Sequence, residues 1–594
     1  MNRVFLVAGA VLASLLMVSS APAQNESAKP AIPSQWNALV DEFFTDAYFK
    51  YHPTDGTAAG FHQYDPLLED YSRAGVESET EALKIFQTKL EHFNQQQLNA
   101  EQRDDWQLVF NYVNSRLLTL EDLRMWEKDP DRYSSNIGNS IFVIMSRNFA
   151  PQDQRLLSVI QREKKIPQVF EAARENLKNP PEIYTRVALM QLPGIISFFQ
   201  KDVPAAFPHV KNPRLMVQFR GVNGAVIESL QRYEKFLKDE LLPKSKGDFR
   251  IGAENYRKKL LYDEMVDIPL DRLLEIGMAD LRKNQRWYKE TAAKLDPSRT
   301  PEQILAEEAK DHPAPDKLLQ TFRDTLGGLT EFIKTKKIIT IPSPVPPIVQ
   351  ETPPFARALT FASMDTPGPF EKKAKEAFFN VTLPEPNWKP QEVEEHMAGF
   401  NYGTIISTAV HEVYPGHYTQ FLWVPQAPSK VRKLLGASSN AEGWAHYSEQ
   451  MMLDEGYGRG PEPVPGKPVV ESKQFLKLRL GQLQDALLRN ARFIVGLQMH
   501  TGKMTYAEGV DFFVKEGYQT RSNGERETRR GTSDPTYLYY TLGKLEILKL
   551  RDDYRKKMGN KYSLQEFHDH FIKQGFPPIK IVRRTMLGDN SPVL

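Results

Sequence analysis

Apolar positions recur at helical spacing through most of the chain. Leu83, Phe86, Leu90 and Phe93 fall three and four residues apart, as do Trp106, Val109, Val113 and Leu117, and later Leu476, Leu480, Leu483, Leu487, Ala491 and Ile494. That spacing brings apolar side chains to one helix face at every turn and predicts amphipathic helices around a shared core. No fixed-period repeat accompanies it, so a solenoid is not expected. The pattern stops at Pro342, Pro344, Pro346, Pro347, Pro353 and Pro354, which withdraw backbone donors and hold the chain extended. A helix cannot cross that run. The expected division is a helical part at 24–341, a Pro-rich connector at 342–354 and a second part at 355–594 that holds nearly all the chemistry, with 24–594 as one continuous unit the alternative. Pro461 to Pro468 predicts a surface loop. Aromatic and β-branched residues at Leu359–Ala362 and Phe378–Thr382 predict a small sheet, so the expected fold class is mainly α with a minor β element.

Ahead of the helical chain, Val4 to Val18 is apolar apart from Ser14, follows the single basic residue Arg3, and leads to Ala21-Pro22-Ala23. This is the form of a secretory signal peptide, 1–23, cleaved after Ala23. A membrane span needs about twenty apolar residues, so none is expected after cleavage, and the mature protein is expected in a bacterial periplasm or outside the cell. Of the 594 residues, 40% are hydrophobic, enough for a sizeable core. Lys+Arg 77 against Asp+Glu 75 lacks the basic excess that phosphate backbones require, so no nucleic-acid partner is expected. A cysteine count of zero removes disulfides, thiolate metal sites, cysteine nucleophiles and a lipid attachment point together. Any metal must be held by His, Asp and Glu.

The densest chemistry is His411-Glu412-Val413-Tyr414-Pro415-Gly416-His417. A hydrolytic zinc site needs neutral imidazoles as ligands, a carboxylate beside the attacking water, and one open coordination position. Histidines four apart share one face of a helix, but these lie six apart, and six residues turn an ideal helix about 600°, leaving the rings about 240° out of alignment. Pro415 and Gly416 offer a bulge or break that swings the second ring back. Twenty-five residues beyond His417, Glu442, His446 and Glu449 fall at i, i+4 and i+7 on one helical face. Two His and one Glu form a known hydrolytic zinc ligand set, so Glu442 is expected as the third ligand, with His446 or Glu449 orienting the ligands. The implied cofactor is one Zn2+ ion.

The segments H-E-V-Y-P-G-H-Y-T-Q from His411 and A-E-G-W-A-H-Y-S-E from Ala441 resemble the bacterial family called domain of unknown function 885. Pro53-Thr54-Asp55, Thr57 to Gly60, E-T-R-R from Glu527, Pro535, Tyr540 and Gly543 extend the likeness towards both ends. Members of that family are regarded as zinc-peptidase-like proteins of mostly helical fold, distantly similar to thimet oligopeptidase and carboxypeptidase Taq. The resemblance implies a large multi-helical metallopeptidase-like fold with its sheet beside the active site, zinc on His411, His417 and Glu442, and Glu412 as the base. The family pattern has Leu where this chain has His446, which leaves open whether His446 joins the metal.

Amide hydrolysis also needs donors for the oxyanion of its tetrahedral intermediate. The family likeness implies Tyr540 as one hydroxyl donor. Arg492, Gly496 and His500, spaced by four, predict one helical stripe on which Gly496 leaves room for substrate, with His500 as a second donor. Asp534-Pro535 predicts the start of a helix carrying Tyr537, Tyr540 and Lys544 on one face. Arg529 and Arg530 precede it and are candidates, with Arg492 and Tyr537, for holding substrate. The expected function is an exported zinc-dependent peptidase acting on a peptide or other amide. Alternatives are a hydrolase of a non-peptide amide or ester at the same site, and a non-catalytic scaffold whose metal site is structural or vacant.

Overall fold

The computed structural model describes residues 32–357, 360–460 and 471–594. The signal-peptide segment 1–23, Leu359 of the first extended run, and the 461–468 loop lie outside the described residues. Helices dominate, and the periodic stripes of the sequence fall on them: α1 is Arg73–Glu91, α2 is Ala100–Leu117, and further helices relevant to the site are α3 (Leu270–Leu295) and α4 (Leu318–Lys336). Three strands follow, β1 (Ile348–Glu351), β2 (Ala362–Asp365) and β3 (Phe378–Val381). The remaining helices used below are α5 (Pro390–Ala398), α6 (Tyr402–Glu412), α7 (His417–Trp423), α8 (Ser438–Asp454), α9 (Lys473–His500), α10 (Arg521–Ser533) and α11 (Tyr539–Met558). Among the described residues, no helix is long and apolar enough to cross a membrane.

The sheet has the order β1-β3-β2, with β1 parallel and β2 antiparallel to β3, so Phe379 sits between Val349 and Met364. The strand β1 begins directly after Pro347, at Ile348, whose N–H donates to the Ala377 carbonyl at 2.8 Å, a bond for which proline has no donor. Phe379 and Val381 are buried in one cluster with Phe322 of α4, Ile405 and Ala409 of α6, Trp444 of α8 and Ile547 of α11. That cluster therefore draws on helices before and after the Pro-rich run. Phe322 meets the Phe379 ring edge-on at 5.0 Å.

The predicted helix start at Asp534-Pro535 is corrected. Asp534 instead closes α10 as its C-terminal cap, and α11 starts at Tyr539. The Asp534 carboxylate accepts from the Tyr539 hydroxyl at 2.8 Å and pairs with Arg530 at 3.3 Å, so it is not free to cap the next helix.

Candidate metal centre

Two helix crossings set the frame. Gly403 of α6 and Gly481 of α9 meet backbone to backbone, where a Cβ on Gly481 would stand 2.3 Å from the Gly403 carbonyl carbon. Eight residues further along each helix, His411 and Arg489 come together. On α8 and α11, Gly443 and Gly543 meet in the same way, a Cβ on Gly443 standing 2.5 Å from Gly543 Cα. Glu442 and Tyr540 flank that contact. Side-chain-free crossings let the backbones approach closely enough for four helices to present polar groups to one point.

Between the two histidines the chain breaks completely. Helix α6 ends at Glu412 and α7 begins at His417, so of the expected bulge or break the chain takes the break, a four-residue reversal joining two helices. The Gly416 N–H donates to the Val410 carbonyl at 3.0 Å, folding the chain back on the end of α6. The reversal is pinned to α8 by the Trp444 indole, which donates to the Pro415 carbonyl at 2.8 Å, and by Gln420, whose amide donates to Asn440 at 2.8 Å.

The result gathers three groups. His411, His417 and Glu442 each offer a ligand atom within 4.8 Å of the others. Glu442 Oε2 lies 3.3 Å from His411 Nε2 and 3.2 Å from His417 Nε2, with the two rings nearly perpendicular at 86°. Ligand bonds of about 2.0–2.1 Å at tetrahedral angles put neighbouring ligand atoms about 3.4 Å apart, which the two Glu442 separations match. Glu412 beside it is 8% exposed and makes no hydrogen bond or ion pair among the described residues.

Glu449 organises the back of the centre. Its Oε1 lies 2.7 Å from His411 Nδ1 and 3.0 Å from Arg489 Nη2, and its Oε2 lies 3.0 Å from His446 Nδ1. Burial opposes charge on His411, but hydrogen bonds to Glu442 and Glu449 outweigh it and raise its pKa to about 9. Burial likewise opposes the Glu442 and Glu449 carboxylates, yet His417 and His411 hold the first, and Arg489 and His446 the second, below the usual range. Burial lowers His446 to about 3. His446 is therefore neutral, donates from Nδ1 to Glu449, and stands outside the three-ligand group. Replacing Glu449 by Ala leaves buried Arg489 with only the more distant Asp485 carboxylate, 3.8 Å away, and is expected to lower the unfolding free energy by about 3 kcal/mol in denaturant titration. A loss under about 1 kcal/mol, the range of an exposed pair, counts against this role.

Tyr540 lies over the centre, its ring stacked on His411 at 6.1 Å and its hydroxyl 3.1 Å from Arg530 Nη2. Burial raises its pKa although Arg530 opposes the shift, so the hydroxyl keeps its proton and can donate. Arg492 forms a two-bond pair with Glu527 at 2.6 and 2.9 Å and stacks over Tyr540 at 4.8 Å, which commits its guanidinium to the wall of the site.

Two expected participants are displaced. His500 is fully buried with Nε2 2.7 Å from the Gly531 carbonyl, and it lies eleven residues beyond Arg489. That is about 16 Å along the α9 axis, too far to serve the same oxyanion. Tyr537 is also buried, and its ring fills the space over Gly496, where a Cβ would stand 2.6 Å from Tyr537 Cε1. The room at Gly496 is taken by this ring rather than by substrate. Arg489 was not singled out by sequence, although Asp485, Arg489 and Arg492 fall at i, i+4 and i+7 and form one charged stripe of α9.

The H-E-x-x-P-G-H reversal and the face that carries Glu442 lie inside a stretch, residues 53–586, that matches one protein family, described as bacterial protein of unknown function (DUF885). The chain belongs to the DUF885 family. No curated protein matches it. Among the solved structures that are similar to the chain are two described as candidate lipoproteins, each covering 94% of it. One, described as a candidate lipoprotein of unknown function from Shewanella oneidensis, is 26% identical, with a TM-score of 0.74 over 94% of this chain and 100% of that one. The other, a candidate lipoprotein from Colwellia psychrerythraea, is 16% identical, with a TM-score of 0.77 over 94% and 98%, and shares the fold.

Proposed function

We propose that the protein is a metal-dependent peptidase with its ion on His411, His417 and Glu442. The observation that carries this is the meeting of those three ligand atoms within 4.8 Å beside a carboxylate, Glu412, that has no protein partner among the described residues. A bound zinc ion would supply Lewis acidity and a water acidic enough to react near neutral pH. Glu412 takes a proton from the attacking water and passes it to the leaving nitrogen. The water oxygen bonds to the carbonyl carbon, the C–N bond breaks, and the products are a carboxylate and an amine. Tyr540 donates to the oxyanion, and Arg530 and Arg492 hold that phenol in place. Glu449 accepts from His411 Nδ1–H and fixes the tilt of the ring, and Arg489 holds the Glu449 carboxylate in place.

The apolar run at Val4–Val18 and the lipoprotein descriptions of the two similar structures favour a place outside the cytoplasm, although this chain has no cysteine to carry a lipid. Metal analysis of the purified protein tests the centre. About one zinc per chain is expected in the parent, falling severalfold in His417→Ala, as removal of one of three ligands requires. Zinc near zero in parent protein grown with ample metal overturns the reading and favours an inert scaffold.

A further inference from the structure

A cavity of 470 Å³ opens where α5, α9 and α10 converge, lined among others by Phe361, Trp388, His396, Gln484, Asn523 and Arg526. It adjoins the metal centre along two helices. Arg526 lies four residues before Arg530 on α10, about 6 Å along the axis, and Gln484 lies five before Arg489 on α9, about 7.5 Å.

The arginines nearest the centre are committed to acidic partners: Arg489 to Glu449, Arg492 to Glu527, and Arg530 to Asp534. Arg526 is not. Half-buried over the Phe361 ring at 4.2 Å, it forms no ion pair or hydrogen bond among the described residues. A guanidinium withdrawn from water without a carboxylate is unfavourable unless a ligand supplies one. The first turn of α10, at Ser522 and Asn523, also borders the cavity and adds the positive end of a thirteen-residue helix, its Asn523 N–H already capped by the Thr520 hydroxyl at 3.3 Å. Three acids share the lining, Glu302, Glu392 and Glu395, of which Glu392 accepts from the Lys389 N–H and Glu395 from Gln391, and Arg526 is the one cationic side chain among the lining residues.

Two buried acceptors without partners stand behind the lining. His396 Nε2 faces the Thr382 carbonyl at 2.9 Å and so carries the proton, which leaves its buried Nδ1 as an acceptor without a partner among the described residues. Asn523 Oδ1 is bare in the same sense. A guanidinium without a carboxylate beside an aromatic wall matches the end of a peptide, its carboxylate and its terminal side chain.

We infer that this cavity receives the C-terminal carboxylate of a short peptide, held by Arg526, with Phe361 and Trp388 against the terminal side chain. The inference deepens the peptidase reading and rests on it for cleavage, but not for binding. A dansylated Ala-Ala-Ala-Phe peptide, as free acid and as C-terminal amide, is titrated against Glu412→Gln protein by fluorescence anisotropy, and both forms are offered to the parent with products read by mass spectrometry. The acid is expected to bind about tenfold or more tighter than the amide, as a charge-assisted fork contact requires. Arg526→Gln in the same background removes that ratio by weakening the acid alone, and Arg526→Lys, which keeps the charge without the fork, retains part of it. If the Gln variant does not fold, the Lys variant reads a partial loss of the ratio, and an undiminished ratio in it overturns the inference. Equal binding of the two forms, no binding of either, or a ratio that survives in the folded variant overturns the inference. A preserved ratio without cleavage by the parent overturns the peptidase reading alone, and cleavage without any acid preference overturns this inference alone.

Discussion

Glu412→Gln protein is expected to hold its metal at the parent's stoichiometry while peptide hydrolysis falls about a thousandfold or more. The substitution keeps the shape of the side chain and removes only its capacity to accept a proton. Nothing in the surrounding structure should move, because Glu412 makes no hydrogen bond or ion pair among the described residues and is not one of the three gathered ligands. The two readouts thus separate: a fall in metal content would mean that the carboxylate binds the ion, and undiminished turnover would mean that another group takes the proton. Activity is read on a peptide library by mass spectrometry and metal by elemental analysis.

Gly416→Ala should be nearly as damaging for a different reason. A Cβ there would stand 1.8 Å from the His411 carbonyl oxygen and 2.4 Å from that of Val410, both backbone atoms at the end of α6. Neither can yield without undoing the reversal that turns His417 towards Glu442. The expected cost is about 3 kcal/mol or more of stability, at the upper end of overpacking effects, together with loss of the metal. Thermal denaturation and metal content measure both. A variant that melts within a few degrees of the parent and binds one equivalent of metal would show that the close approach is not required.

Much of this centre was legible beforehand because its parts are local. The pair His411 and Glu412, the Pro-Gly break, and the i, i+4, i+7 face of Glu442, His446 and Glu449 are short-range patterns, and short-range patterns survive in one dimension. The nature of the break was less legible. Proline and glycine announce that a helix cannot run straight, but whether the chain bulges or reverses depends on what covers the far side, here Trp444 and Asn440 of α8. The stripe through Arg492, Gly496 and His500 misled for a related reason. Residues four apart share a face of a helix, yet each step moves about 6 Å along the axis, so a shared face is not a shared neighbourhood.

Helical spacing, the proline run and the ligand motif follow from the order of residues alone, since each concerns groups a few positions apart. Which arginine is neutralised and which is left bare, where Tyr537 comes to rest, and how Glu449 joins His411 to Arg489 depend on helices far apart in the chain meeting at glycine crossings. Those distances are set by packing, and no local pattern encodes them.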